Sequence, residues 1–237
     1  MSNKVLGDTE LQSDVLEDLN AAGNYRRWLC SLGLPYFGDD VLEIGSGMGY
    51  YASDWADMGV PKLTASEADP ARLRDLHSRF DGDPRVQVRE LTVPIDETGD
   101  YSAVVAYNVL EHIPEQVEAL KAFSGLVRPG GAVVLVVPAF QFAMSRFDLE
   151  IGHQRRYTKR SMAEALTAAG LEIERCHYIN MWGLLAWYGA VKLLNRRPQE
   201  SAMLTAYDKL YVPVERRIES KVRVPFGQSV FAVARAR

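Results

Sequence analysis

Short apolar runs alternate with amphipathic stretches along this chain, and that alternation constrains the fold more than any other feature. The run AVVLVV at 132–137 is wholly apolar, which is typical of a parallel strand buried on both faces of its sheet. Seven strand candidates can be delimited: Val41–Ile44, Leu63–Ser66, Val86–Arg89, Ala103–Tyr107, Ala132–Val137, Ile173–Tyr178 and Ser229–Ala234. Helix candidates lie between most of them: Tyr50–Met58, Pro70–Arg79, Glu115–Phe123 and Ser161–Ala169. The order of the elements predicts an α/β fold with helices on both faces of one sheet.

Two segments lie outside this alternation. Residues 8–34 have a helical pattern ahead of the first strand candidate, so we expect an N-terminal helical cover. Residues 179–228 separate the last two strand candidates and include INMWGLLAWYGAVKLL. This run is shorter than the roughly 20 residues that a membrane span needs. We expect a buried helix there, with a substrate-pocket wall, a dimer face or an interfacial anchor as alternatives.

Composition narrows the classes of function. Lys plus Arg is 27 and Asp plus Glu is 31, a net charge of −4, which does not favour nucleic acid as a partner. Cys30 and Cys176 are too few for a disulfide framework or a cysteine zinc site. The histidines and carboxylates show no metal-ligand spacing, so no metal is expected. The first residues show no secretory signal. These observations predict one cytoplasmic domain.

A glycine-rich loop carries the most specific signal. In VLEIGSGMGY the first strand candidate leads directly into Gly45, Gly47 and Gly49, where the chain can turn tightly against a ligand. Glu43 stands at the end of that strand, where its carboxylate would repel the pyrophosphate of a dinucleotide. Glu67 closes the next strand candidate, where an acid can accept hydrogen bonds from a ribose. A cationic nucleoside without phosphate, such as S-adenosylmethionine, fits these facts.

The chain resembles the class I S-adenosylmethionine-dependent methyltransferases over most of its length. The segments that carry the resemblance are VLEIGSGMGY, TASEADP, YSAVVAYNVLEHIP and LVRPGGAVVLVVPA. The resemblance implies a Rossmann-like seven-stranded sheet of order 3-2-1-4-5-7-6, with the seventh strand antiparallel. It implies that the glycine loop and Glu67 bind the cofactor, together with Asn108 and Tyr25. Leu91 and Thr92 stand where the family often has an Asp for the adenine amine.

One domain is expected, with residues 1–34 as cover, 35–138 as cofactor-binding half and 139–237 as acceptor-side half containing the helical insertion 179–228. The second half, from FDLEIGHQRRYTKRS to PFGQSVFAVAR, resembles a bacterial subgroup with small-molecule or glycan-linked tailoring roles. Its acceptors are diverse, so this narrower resemblance points to site residues more than to a substrate.

The loop after the fifth strand candidate supplies candidate acceptor-side residues, because ligands bind beyond the carboxyl ends of parallel strands. Histidine ordinarily titrates near neutrality, so His153 and also His112, which follows the fourth strand candidate, are candidate catalytic bases. Arg155 and Arg156 are candidates for binding an anionic group of the acceptor, and Tyr157 for stacking or hydrogen bonding. The alternative is a structural anchor in which the two arginines pair with Asp148 and Glu150.

We therefore expect methyl transfer from S-adenosylmethionine to a small-molecule acceptor, at oxygen or nitrogen, in the biosynthesis of a secondary metabolite or a sugar-containing intermediate. Carbon methylation of an activated aromatic molecule is an alternative. A non-catalytic cofactor-binding scaffold and a nicotinamide-dependent oxidoreductase are alternatives of other classes. A homodimer and an interfacial membrane contact stay open as further partners.

Overall fold

One mixed sheet of seven strands organises the computed structural model, which describes residues 8, 11–12, 22–193 and 202–237. The strands are β1 (Val41–Ile44), β2 (Leu63–Glu67), β3 (Val86–Glu90), β4 (Tyr101–Tyr107), β5 (Val127–Pro138), β6 (Glu172–Ile179) and β7 (Ser229–Arg235). Their order is 3-2-1-4-5-7-6. Strand β7 is antiparallel to β5 and β6, whereas the other pairs are parallel. The predicted fold class, strand order and orientation of the seventh strand are confirmed.

Helices cover both faces of the sheet. They are α1 (Gly23–Gly33), α2 (Tyr50–Asp57), α3 (Pro70–Arg79), α4 (Gln116–Leu126), α5 (Arg146–Glu150), α6 (Lys159–Ala168), α7 (Met181–Trp187), α8 (Ala202–Ala206) and α9 (Val212–Glu219). Short 3-10 turns lie at Leu34–Tyr36, Leu110–His112 and Gln141–Ala143, and π-helical turns at Tyr188–Leu193 and Tyr207–Tyr211. Among the described residues, no helix is both long and apolar enough to cross a membrane.

Alternate residues of the apolar strands enter two separate core layers. In β5, Val133 and Leu135 pack with α4 and α6 on one face of the sheet. Val134 and Val136 belong to the opposite layer, which α1, α2 and α3 cover. Both faces are therefore dry, and this explains why the sequence of β5 is apolar throughout rather than alternating.

The start of α6 differs from the prediction. The sequence predicts this helix from Ser161, but α6 starts two residues earlier, at Lys159, and Thr158 is its N-cap. Thr158 has extended backbone, its Oγ1 accepts the backbone N–H of Ser161 at 3.1 Å, and Ser161 Oγ accepts the backbone N–H of Thr158 at 2.9 Å. Thr158 and Ser161 therefore form a capping box in which Ser161 is the third helical residue.

The two segments outside the alternation both contain helices among the described residues. Helix α1 supplies part of the predicted cover, whereas residues 13–21 of that segment lie outside the described residues. In the insertion at 179–228, the expected buried helix is wrong in part. Leu185 is 61% exposed and Tyr188 is 37% exposed, so one side of α7 and the π-helical turn after it faces outward.

The order of the strands places a ligand site. The connections run outward in one direction from β1 to β2 and β3, and in the other from β4 to β5, so the order reverses between β1 and β4. The two loops that leave the carboxyl ends of β1 and β4 diverge at this point and open a crevice. The glycine loop follows β1, and Asn108 follows β4.

Candidate functional site

A cavity of about 1050 Å³ opens at the reversal point. This volume lies at the upper end of the range that is usual for small-molecule sites. Of the residues proposed from sequence, its wall contains Tyr25, Gly45, Gly47, Glu67, Asn108, His112, His153 and Arg156. Four others do not line it: Glu43, Gly49, Arg155 and Tyr157.

The glycine loop has the backbone that its sequence suggests. Gly45, Gly47 and Gly49 have φ of +69°, +56° and +76°. Residues other than glycine rarely adopt this backbone conformation. A Cβ on Gly45 would lie 2.8 Å from Val109 Cγ2, and one on Gly49 would lie 2.7 Å from Leu76 Cδ2. The first two glycines bring the backbone to the cavity, whereas the third lets the loop pack on α3.

The buried carboxylate of Glu67 holds the loop in place. Its Oε2 accepts the backbone N–H of Gly47 at 2.9 Å, and its Oε1 accepts those of Ala68 and Asp69, each at 2.9 Å. A carboxylate has about four acceptor positions, so these three bonds leave one for a ligand in this arrangement. Glu67 therefore organises the edge of the cavity in addition to facing it.

Glu43 lies behind the loop rather than in the cavity wall. Its side chain is 2% exposed, and its Oε2 accepts the hydroxyl of Ser46 at 2.7 Å. Burial, together with the neighbouring carboxylate of Glu67, raises the pKa of Glu43 to about 8. Ser46, its hydrogen-bond partner, does line the cavity.

Asn108 and Tyr25 reach the cavity from opposite sides. Asn108 has a φ of +54° at the end of β4, and its backbone N–H donates to the carbonyl oxygen of Val136 at 2.8 Å. Tyr25 comes from α1, whose first turn is tied down because the backbone N–H of Tyr25 donates to Asp208 Oδ1 at 2.8 Å. Burial raises the pKa of the Tyr25 hydroxyl.

The two candidate catalytic histidines meet at the acceptor end. The rings of His112 and His153 lie edge to face with centroids 4.7 Å apart. His153 Nδ1 lies 2.8 Å from Asp148 Oδ1, and His153 Nε2 lies 3.8 Å from Glu111 Oε1. Because an ionised carboxylate only accepts, the Nδ1–H donates to Asp148 and Nε2 is left as the acceptor.

Burial affects the protonation of the two neighbours of His153 in opposite ways. Burial, together with the nearby His153, lowers the pKa of His112 to about 3. It raises the pKa of Glu111 to about 7. Neither carboxylate oxygen of Glu111, which is fully buried, has a hydrogen-bond partner among the described residues. His112 is therefore neutral at neutral pH, and Glu111 is close to its titration midpoint.

The buried carboxylate of Asp148 accepts hydrogen bonds from three residues of this region. Its Oδ1 accepts from Arg156 Nε at 3.0 Å and Arg156 Nη2 at 2.6 Å, besides His153. Its Oδ2 accepts the backbone N–H and the hydroxyl of Ser145 at 2.7 and 2.6 Å. These contacts and the charge of Arg156 hold the pKa of Asp148 well below its usual value, despite burial. Arg156 thus has the structural partner that the sequence analysis named as an alternative, whereas Glu150 pairs with Arg146.

Arg155 and Tyr157 do not line the cavity, and both side chains have structural partners. Arg155 donates to the carbonyl oxygens of Ile113 and Pro114 and so ties its own loop to the one after β4. Tyr157 is 1% exposed, and its hydroxyl donates to Gln116 Oε1 at 2.9 Å. Neither side chain is placed to bind an acceptor.

The insertion forms a wall of the cavity. Asn180, Trp187, Leu204, Tyr207 and Gln228 all line it. Asn180 has a φ of +63° and caps α7 through its Oδ1, which accepts the backbone N–H of Gly183 at 2.9 Å. Of the alternatives for this segment, a pocket wall therefore has a structural basis.

Arg72 and Glu111 line the cavity but were not among the site residues proposed from sequence. Arg72 is 8% exposed, lines the cavity and donates from Nη2 to Gln12 Oε1 at 2.7 Å. One oxygen of Glu111 and one ring nitrogen each of His112 and His153 lie within 4.8 Å of one another, so these three residues could hold a metal ion. The sequence did not indicate this cluster, because His153 is far from the other two residues along the chain. Only the pairing of two distant loops creates this cluster, so no local signal could have found it.

Comparison with known proteins agrees with this geometry. The sequence model of a methyltransferase domain matches residues 16–175. The chain is 33% identical over 122 residues to a ubiquinone biosynthesis O-methyltransferase of Xanthomonas oryzae pv. oryzae, covering 49% of this chain and 50% of that protein. It is 32% identical over 174 residues to a protein of the same name from Xanthomonas axonopodis pv. citri, covering 66% and 72%. The match to the first relative spans about half the length of that protein.

A solved structure shares the fold. Geranyl diphosphate methyltransferase in complex with S-adenosylmethionine superimposes with a TM-score of 0.61 at 15% identity, covering 89% of this chain and 85% of the other. The sheet order, the glycine loop and the match to the domain over two thirds of the sequence agree. The chain therefore belongs to the class I S-adenosylmethionine-dependent methyltransferases.

Proposed function

We propose that this protein transfers the methyl group of S-adenosylmethionine to an oxygen or nitrogen of a small-molecule acceptor, in the biosynthesis of a secondary metabolite or a sugar-containing intermediate. One observation carries the proposal: a single cavity joins the glycine loop and Glu67 to the Asp148–His153 pair. A donor site and a group able to take a proton therefore face the same space.

The cofactor half of the cavity fits a cationic nucleoside. Gly45 allows close approach of the backbone, and Glu67 keeps an acceptor position for a ribose hydroxyl. Leu91, Thr92, Val93 and Pro94 line the cavity near β3. They offer a largely apolar surface to the adenine ring, where the family often has an Asp for the adenine amine. When bound, S-adenosylmethionine supplies a methyl group that its sulfonium activates for displacement. Glu43 adds negative charge behind the loop once it is ionised.

At the acceptor end, we assign His153 the role of general base. Its Nδ1–H is fixed on Asp148, so Nε2 can take the proton of an acceptor hydroxyl or amine as the new bond to the methyl carbon forms. The electron pair of the broken carbon–sulfur bond returns to sulfur. Asp148 positions the ring and stabilises the imidazolium that results, as a carboxylate does in other histidine-based sites.

His112 is less suited to that role. Its lowered pKa of about 3 makes it a weak proton acceptor at neutral pH. Its edge-to-face contact with His153 instead helps to fix the orientation of the base. We therefore assign His112 to positioning.

The wall around His153 indicates the kind of acceptor. Phe147, Ile151, Trp187 and Ile113 contribute apolar surface to the cavity, and such a wall suits an apolar or aromatic molecule that bears a hydroxyl. The two relatives described above are O-methyltransferases by name, which favours oxygen over nitrogen as the methylated atom.

Label transfer tests the proposal. The protein is incubated with methyl-tritiated S-adenosylmethionine and a lysate of the source cells, after which small molecules, protein and nucleic acid are separated. Label in the small-molecule fraction is expected. Label confined to protein or nucleic acid, or no transfer at all, would contradict the proposal and in the latter case favour the non-catalytic scaffold.

The role of His153 is tested separately, at saturating cofactor and with the labelled acceptor. We expect His153→Gln to reduce turnover by about 10²–10⁴-fold, the usual contribution of a general base. The matched control is His77→Gln, at an exposed position on α3. Undiminished turnover of His153→Gln would remove it as the base. Loss of wild-type activity with a chelator would assign the cluster to a metal instead.

A further inference from the structure

The helix at 207–219 carries an exposed apolar row. The row comprises Leu210, Tyr211, Val214, Ile218 and Val222, which are 66%, 51%, 48%, 41% and 58% exposed. Leu210, Val214 and Ile218 are spaced four residues apart and share one side of this helix, and Val222 lies just beyond its end. They are five of the nine exposed large hydrophobic residues found among the described part of the chain. Scattered exposed apolar residues need no explanation, but a concentration of this kind marks an interaction surface.

Cations flank this row. Lys209, Arg216, Arg217, Lys221 and Arg223 are all exposed. Within the described residues, no carboxylate lies in ion-pair distance of any of these five. Arg223 contacts His177 Nε2 at 2.7 Å. We call the apolar row and these five cations the basic face.

The acids of the same stretch point into the protein. Asp208 is 4% exposed and Glu215 is 2% exposed. Glu215 Oε1 accepts the backbone N–H of Trp182 at 2.7 Å, and Glu219 Oε1 accepts that of Met181 at 3.1 Å. Residues 208–223 contain five cations and three acids, a formal charge of 5 − 3 = +2. The three acids accept hydrogen bonds from backbone N–H groups of other segments. The basic face therefore presents positive charge on a chain whose net charge is −4.

This combination favours one kind of partner. A helix with an apolar row between cations lies in the interface of a membrane that contains anionic lipids, its apolar side chains inserted and its cations at the headgroups. A second copy of the chain suits it poorly. A two-fold interface would bring each basic face against its own copy, and the cations would repel one another.

We propose that the basic face binds the surface of membranes that contain anionic lipids. The chain attaches there from one side, without spanning the bilayer, and this activity is independent of methyl transfer. Leu210 and Val214 enter the apolar region, while Arg216, Arg217 and Lys221 contact the headgroups.

Vesicle flotation tests this proposal with the full chain. We expect wild-type protein to float with vesicles of phosphatidylcholine mixed with phosphatidylglycerol, and not with phosphatidylcholine alone. The triple change Arg216→Gln, Arg217→Gln and Lys221→Gln should weaken binding by roughly a hundredfold, since each cation near an anionic surface contributes about a fivefold factor. High salt should have the same direction of effect.

The apolar row and the controls complete the test. Leu210→Ser with Val214→Ser should weaken binding by about tenfold or more. The matched controls, Leu149→Ser and Arg160→Gln, change exposed residues outside the basic face and should bind as the wild type does. Failure of the wild type to bind phosphatidylglycerol vesicles would overturn the proposal, and so would equal binding by the variants. Sedimentation as a dimer that Leu210→Ser dissociates would assign the face to self-association instead.

Discussion

The substitution Asp148→Asn tests whether one buried carboxylate holds the acceptor side of the cavity together. Asn keeps the shape of Asp but removes the charge and presents an amide N–H₂ to groups that are themselves donors. Asp148 accepts from His153, from Arg156 twice and from Ser145 twice. At least one of these donors must lose its acceptor in the variant, and the guanidinium of Arg156, which is 6% exposed, loses its countercharge.

The magnitude follows from that loss. Removing one partner of a buried ion pair costs about 3–5 kcal/mol. Arg156 keeps a contact with the carbonyl oxygen of Ala139 at 3.3 Å and lies over the ring of Trp187, so we expect the lower end, about 3 kcal/mol at pH 7. For a domain of this size that lowers Tm by roughly 6–12 °C.

The pH dependence supplies an independent check. The pKa of Asp148 is depressed in the folded protein, so its contribution to stability is present above the ordinary pKa of Asp, about 4, and is lost as the pH falls below that value. The difference between wild type and Asp148→Asn should therefore shrink below pH 4. Urea unfolding monitored by tryptophan fluorescence measures it, with Asp39→Asn, at an exposed pair with Arg128, as the matched control. A difference below about 1 kcal/mol at pH 7, or one that stays constant on acidification, would refute the reasoning.

Three further predictions concern the cofactor half. Glu67→Gln should weaken binding of S-adenosylmethionine by roughly 10- to 150-fold, since hydrogen bonds to a charged group contribute about 1.5–3 kcal/mol; unchanged affinity in calorimetry would mean that Glu67 is not the ribose acid. Glu43 has a pKa of about 8, so its ionisation as the pH rises through 8 should strengthen binding of the sulfonium cofactor relative to S-adenosylhomocysteine. A ratio of the two affinities that is equal at pH 6.5 and pH 9, or a Glu43→Gln variant that keeps the pH dependence, would count against that assignment. Gly49→Ala should destabilise the fold by about 2–4 kcal/mol, because the position has a positive φ and a Cβ there would collide with Leu76 of α3. The control is Gly59→Ala, also at positive φ but in open space, which should cost only about 1–2 kcal/mol. Equal losses of stability in thermal unfolding would exclude the packing contribution.

The sheet could be predicted from sequence because burial on both faces leaves a strong local signal. The predicted bounds of β1, Val41–Ile44, agree with the structure. The other six strands are also present and differ from the predicted ranges only at their ends. The start of α6 was predicted two residues too late because Thr158 and Ser161 both carry a hydroxyl that can cap a helix. Only the extended backbone of Thr158 decides between them.

The candidate site was less predictable because it depends on contacts between distant loops. Glycine spacing and the acid after β2 are local features, and both lie where expected. The environment of His153 is not local, since Glu111 approaches it from the loop after β4. In the same way, nothing in the run His-Gln-Arg-Arg-Tyr distinguishes Arg155, which binds carbonyl oxygens, from Arg156, which binds Asp148.

The position of β7 has a consequence for how the fold is acquired. Among the described strands, β6 pairs only with β7, which is the last of the seven in sequence and lies between β5 and β6. Until residues 229–235 are available, β6 has no neighbouring strand in the sheet. Closing the long loop that brings β7 between β5 and β6 carries an entropic cost. We infer that the cofactor half can assemble early during synthesis. The part of the insertion that lines the cavity and the basic face then acquire fixed positions only in a late, long-range step.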